Sequence, residues 1–332
     1  MTVNFQWVWW GWNIPQDVRL MVQYEFMRNL FLTGLIISVL AGVVSYLVVL
    51  RRSSFASHAL GHIGFSGAAG AVLFSSNPVF IFYGLLIATT SSATGISLLG
   101  QKASHRDVEI GTILAFMLGL GLLFLSFYNG YSSEAYSILF GQVGGINDAQ
   151  VWLIFFTAVV VLGVLGIFYR HLLFSSLDEE VSEARGMPNL LLGLIFMLAL
   201  AAAISTAVTV IGVLLIFALT VTPGAIALRL VNRPLHAVLV AIGVALFATW
   251  VGTFIAYYEL EPTSFFIVTI VFIIYIAVRL IPAVSRLRRW VSRAADRPSR
   301  APMAVGPADP PTVPPLPAHS DRNRDLSRDG DS

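Results

Sequence analysis

Residues 29–52 read NLFLTGLIISVLAGVVSYLVVLRR, and residues 53–74 continue as SSFASHALGHIGFSGAAGAVLF. Between Leu30 and Leu50 there is no charged side chain, and two arginines then close the run. An α-helix of about 20 residues rises ~30 Å, the thickness of the hydrocarbon core of a bilayer. A stretch of this kind repeats along the chain. Of the 332 residues, 57% are hydrophobic and 11% charged, whereas an ordinary soluble domain carries roughly 25% charged residues. A water-facing surface cannot be covered with so few polar groups, so lipid is the solvent. An all-α integral membrane protein follows.

The apolar runs predict nine spans, near residues 29–50, 57–75, 78–100, 109–127, 150–169, 188–206, 210–231, 235–257 and 264–282. Residues 131–149, YSSEAYSILFGQVGGINDA, are apolar but too short to cross. They predict a short re-entrant helix packed against protein, because bare non-helical backbone cannot face lipid. Three regions result: an interfacial N-terminal segment (1–28), a membrane domain (29–282) and a tail (283–332). Trp7, Trp9, Trp10 and Trp12 suit a headgroup belt, where an amphipathic ring meets the interface. The first residues lack the basic start and short apolar core of a cleavable signal peptide. The tail is rich in Arg, Asp, Pro and Ser. With so little apolar surface to bury it is expected to be disordered.

Lys and Arg mark every second loop. Arg51 and Arg52 follow the first span, Lys102 and Arg106 the third, and Arg170 and Arg185 the fifth. Arg229 and Arg233 follow the seventh, and Arg279 opens a basic cluster after the ninth. The loops between, SSNP, YNGYSSEA, STAVT and YYELEP, contain neither. By the positive-inside rule the N-terminus lies outside and the C-terminus in the cytoplasm.

Ionisable groups within spans are costly and mark candidate sites. His58 and His62 stand four residues apart, so on a helix they share a face one turn apart. Two imidazoles so spaced suit one divalent ion; the same groups would also serve as hydrogen-bond links between helices. Ser57, Gly61, Gly64, Ala68 and Ala71 form a small-residue stripe beside them, suited to close helix approach or to a path. There is no cysteine, so any metal is held by nitrogen or oxygen. A zinc-protease helix needs a glutamate after its first histidine. Ala59 stands there, and no catalytic residue is assigned.

After the fifth span, Asp178, Glu179, Glu180 and Glu183 form a short acidic stretch closed by Gly186 and Pro188. It reads either as a solvated loop or as a docking surface. Pro223 followed by Gly224 predicts a kink or break in the seventh span, since proline cannot donate to the carbonyl of Leu219.

From about Phe26 to Leu280 the sequence resembles the permease subunits of zinc/manganese-type ABC importers. That family has a basic pair followed by Gly-Asp-Ala-x-Ser-His-Ala-x-Leu-Pro-Gly. Arg51, Arg52, His62 and Gly67 match it, while His58 stands at the aspartate and Ser66 at the proline. Asp107, Ile110 and Gly111 resemble a Glu-Asp-x-x-Ile-Gly opening, and SILFGQ (137–142) resembles Tyr-Leu-Phe-Gly-Asn. FYRHLLFSSLDEEVSEARGMP (168–188) and GVLLIFALTVTPGAIA (212–227) match two further stretches in order.

The resemblance implies a homodimeric permease in the inner membrane, two cytoplasmic ATPase subunits and an extracytoplasmic metal-binding protein. It also implies that Asp178–Pro188 contacts the ATPase. The chain itself has no Gly-rich phosphate loop, so it is expected not to be an enzyme, to hold no permanent cofactor and to bind no nucleic acid. The transported ion is a divalent metal, with zinc favoured and manganese the alternative. Candidate ligands are His58 and His62, with Asp107 and Glu109 behind them. A passive channel or carrier using the same histidines, or a structural membrane scaffold, are the rival readings.

Overall fold

A computed structural model describes residues 24–100, 106–127, 146–177, 179–213, 216–258 and 263–295. The Trp-rich N-terminal segment, residues 131–145 of the expected re-entrant helix, Asp178 and the tail beyond Ala295 lie outside these. The chain divides into two compact units, Met1–Val284 and Ser285–Ser332. The second unit is described only as far as Ala295, where it is helical.

All described secondary structure is helical. The helices are α1 (Glu25–Leu50), α2 (Ser54–Val72), α3 (Pro78–Leu99), α4 (Arg106–Phe127), α5 (Asp148–Leu177), α6 (Glu179–Ala184), α7 (Asn189–Ile211), α8 (Ile216–Leu230), α9 (Pro234–Tyr258) and α10 (Thr263–Ala295). Among the described residues, seven of them are long and apolar enough to cross a membrane: α1, α3, α4, α5, α7, α9 and α10. The protein is therefore a multi-pass helical membrane protein.

The two remaining members of the expected nine are α2 and α8, and each departs for a physical reason. α2 carries His58, His62, three serines and four glycines within 19 residues, which lowers its hydropathy. Thirteen of those residues are buried, so protein rather than lipid solvates most of it. α8 has only 15 residues, a rise of about 22 Å.

The expected loop STAVT (205–209) lies inside α7. Its hydroxyls donate back to the helix, Ser205 to the carbonyl of Ala201 at 2.9 Å and Thr206 to that of Ala202 at 2.7 Å. Polar side chains satisfied in this way do not interrupt a helix. The interruption falls at Gly212, whose φ of 89° is a conformation open to glycine at little cost. α8 then continues through Pro223 and Gly224. The helix is thus not ended by the proline, which removes only the bond from residue 223 to the carbonyl of Leu219.

α1 lies at the centre, against α9, α8 and α5. Most of α1 and α7 is enclosed by protein (67% and 72%), whereas α4 is 11% buried. Without a hydrophobic force between helices in lipid, close packing and interhelical hydrogen bonds hold the bundle. Four such links tie distant segments. Ser38 donates to Thr249 at 3.0 Å, Ser57 pairs with Thr220 at 2.9 Å and Thr89 with Ser205 at 2.7 Å; Asn29 donates to Asp148 at 2.9 Å. One tight crossing joins α2 to α3. A methyl on Gly67 would overlap the carbonyl of Gly84 and lie 2.5 Å from Cβ of Ala88; one on Gly84 would lie 2.5 Å from the carbonyl of Gly67.

Candidate metal path

α2 starts directly after the turn at Arg51–Ser53, where Arg52 has a φ of 52°. Helical spacing then brings His58 and His62 together. Their ring centroids are 4.6 Å apart, with planes at 81°. Both are half-buried, and the ring contacts of His58 are with His62 and with Phe217. The small residues predicted beside them pack inward. Ser57 and Ala68 are fully buried, and Gly61 and Gly64 sit against Ile216 and Leu85.

Among the described residues the carboxylates predicted on α4 do not join the histidine pair in a group of three. Asp107 is exposed and Glu109 half-buried; Oε2 of Glu109 is buried without a hydrogen-bond partner among the described residues. Among those residues no three His, Asp or Glu side chains converge closely enough to hold an ion. Among the described residues the histidines stand as a pair.

At the other candidate region, α6 ends in a tight turn. Gly186 has a φ of 73°, its amide bonds the carbonyl of Glu183 at 2.8 Å, and the amide of Met187 that of Ser182 at 3.2 Å. This glycine-closed stop is a common helix terminus. Buried Ser182 donates to Oδ1 of Asn189 at 2.8 Å, fixing α6 to the start of α7. Glu183 is exposed. Glu179 and Glu180 belong to α6, their side chains lying outside the described residues.

Sequence reasoning missed what surrounds Arg51. Its guanidinium donates to Oγ of Ser175 at 3.3 Å and lies 5.0 Å from the ring centre of Phe196. A cavity of about 390 Å³ opens there, lined by Arg51, Ser97, Glu183, Pro188 and Asn189 among others. The ends of α1, α3 and α5 thus meet α6 and the start of α7. Pro223 and Gly224 are buried in α8. A methyl on Gly224 would overlap the carbonyl of Ser45 and lie 2.7 Å from the amide of Tyr46, so this glycine permits close packing on α1.

The sequence model of the ABC 3 transport family matches residues 23–281, and the chain belongs to that family. It is 26% identical over 264 residues to the manganese transport system membrane protein MntC of Listeria monocytogenes, covering 79% of this chain and 93% of the relative. To the manganese import system permease protein ScaB of Streptococcus gordonii it is 25% identical over 279 residues, covering 84% and 99%. The structure of PsaBC from Streptococcus pneumoniae in complex with Fab superposes with a TM-score of 0.72 at 24% identity, covering 81% of this chain and 96% of that one; that likeness is one of fold. The chain is therefore the membrane subunit of a transporter, and ATP hydrolysis belongs to a separate subunit. Family membership favours an ATP-driven permease over a passive channel or a scaffold.

Proposed function

We propose that this protein is the permease of an ATP-driven importer of a divalent transition metal in the inner membrane. The metal passes His58 and His62 on α2. The observation that carries this reading is the pair of adjoining, half-buried imidazoles on a helix otherwise rich in small and hydroxyl residues. Imidazole suits zinc, whereas carboxylate and water suit manganese. Two imidazole nitrogens, with no carboxylate converging on them among the described residues, favour zinc. The names of the two relatives speak for manganese, which is the second reading. Asp107 and Glu109 then belong to the approach to the path rather than to its ligand set. Vesicles holding the permease with its ATPase should accumulate zinc only when ATP is supplied. Equal accumulation without ATP would refute the active mechanism.

The working assembly is a homodimer of this chain with two ATPase subunits on the cytoplasmic side and a metal-binding protein outside. Nine helices cross the membrane, the seven apolar ones together with α2 and α8, with the N-terminus outside. The clustering of the ends of α1, α3 and α5 with α6 around Arg51 supports this topology, since those ends precede the basic loops. Cysteine introduced at Ser132 should therefore react with an impermeant thiol reagent from outside, and cysteine at Ser104 should not. Labelling at Ser104 alone, or at both, would reverse the orientation.

Asp178, Glu179, Glu180, Glu183 and Gly186 form the coupling element, an acidic patch suited to a basic partner surface. Replacing Glu179, Glu180 and Glu183 together by Lys should uncouple the ATPase while metal binding survives, because no proposed ligand changes. A triple variant that still co-purifies with a fully stimulated ATPase would remove α6 from this role.

A further inference from the structure

The first turns of α8 are keyed onto the one turn of α2 that carries the histidines. Thr220 pairs with Ser57 at 2.9 Å, and its hydroxyl also bonds the carbonyl of Ile216 at 2.9 Å. Ile216 rests on Gly61, where a methyl would come within 2.6 Å of its Cγ2. Between these two contacts Phe217 meets His58, ring centroids 5.3 Å apart and planes at 84°. His58 thus makes edge-to-face contacts with both Phe217 and His62.

We infer that Phe217 is a positioning and specificity-determining residue for the transported ion, a role that rests on the proposed function of the histidine pair. Edge-to-face aromatic contacts fix ring orientation, and metal-binding imidazoles generally depend on neighbours that fix theirs. Phe217 offers no donor atom. Its phenyl ring, 39% exposed, lies against His58 and takes up room beside that imidazole, which would limit how many oxygen ligands an ion held there keeps. Zinc accepts four ligands including two imidazoles. An ion that prefers carboxylate and water ligands loses more when water is shut out. Ser57, Thr220 and the glycine at position 61 hold the ring in this position, so the selectivity is built into the α2–α8 contact.

The test uses the full complex with Co²⁺ as a coloured probe of coordination number, beside zinc–manganese competition in uptake. Wild type should give the intense visible bands of low-coordinate Co²⁺. Phe217→Ala should give weak bands of a more hydrated ion, and zinc preference should fall about tenfold, the lower end of what outer-shell changes cost in metal affinity. Phe217→Tyr keeps the ring and should behave as wild type. If Phe217→Ala fails to assemble, Phe217→Leu, which fills the space without a ring, should show the same weakened bands. Unchanged bands and preference in either assembled variant would overturn the inference. A wild-type spectrum identical to that of His58→Ala and His62→Ala would instead overturn the histidine reading on which it rests.

Discussion

His62→Ala is expected to abolish metal uptake, and His58→Asp to retain transport while shifting preference from zinc toward manganese. The two imidazoles adjoin on one face of α2, and no third ionisable ligand converges among the described residues. Removing one nitrogen therefore leaves a single protein ligand from this helix. Outer-shell changes alone cost about 10–100-fold in metal affinity, and loss of a ligand exceeds that, so uptake at limiting zinc falls to the vesicle background. Aspartate at position 58 replaces a neutral nitrogen by a charged oxygen, which suits manganese better. Normal zinc uptake by both variants would make the pair a structural contact between helices.

Gly67→Leu is expected to prevent assembly of the bundle. At this crossing the first added carbon already overlaps the carbonyl of Gly84 and comes within 2.5 Å of Ala88, and most of the obstruction is backbone, which no rotamer change can relieve. Overpacking of a core typically costs about 1–3 kcal/mol, and a clash with helix backbone belongs at or above the top of that range. The α2–α3 pair must separate, and α2 then loses its register with α8 and α4. The expected result is loss of the monodisperse species in detergent, with Gly67→Ala intermediate. Gly163→Ala is the matched control, since a methyl there meets nothing within 4 Å. A Gly67→Leu variant with wild-type thermal stability would show that α2 and α3 do not cross at these glycines.

The helices and the histidine pair were legible because each rests on a local period. Apolar runs near 20 residues mark the lipid-facing helices, and a spacing of four puts His58 beside His62 whatever the rest of the chain does. Arg51 was legible only as a basic flank. Its contacts with Ser175 and Phe196 join segments far apart in sequence, and no local signal announces them.

The apolar run at 57–75 marked α2, although its histidines, serines and glycines make it less apolar than the other long helices. Hydropathy split α7 at Ser205–Thr209, where hydroxyls return to their own helix carbonyls and cost the helix little. Pro223 drew attention as the place of a kink or break, and α8 continues through it; the end of α7 falls at Gly212, whose φ is positive. The contact of Phe217 with His58 was not legible either, since it depends on how α8 is seated on α2.

X-ray absorption at the zinc edge, on the full complex loaded with one zinc per permease, reads the central claim at the ion itself. Wild type should show the outer-shell scattering of two imidazoles with Zn–N distances of about 2.0–2.1 Å, reduced to one in His62→Ala. A zinc shell of oxygen alone, or a spectrum that His62→Ala leaves unchanged, would contradict it.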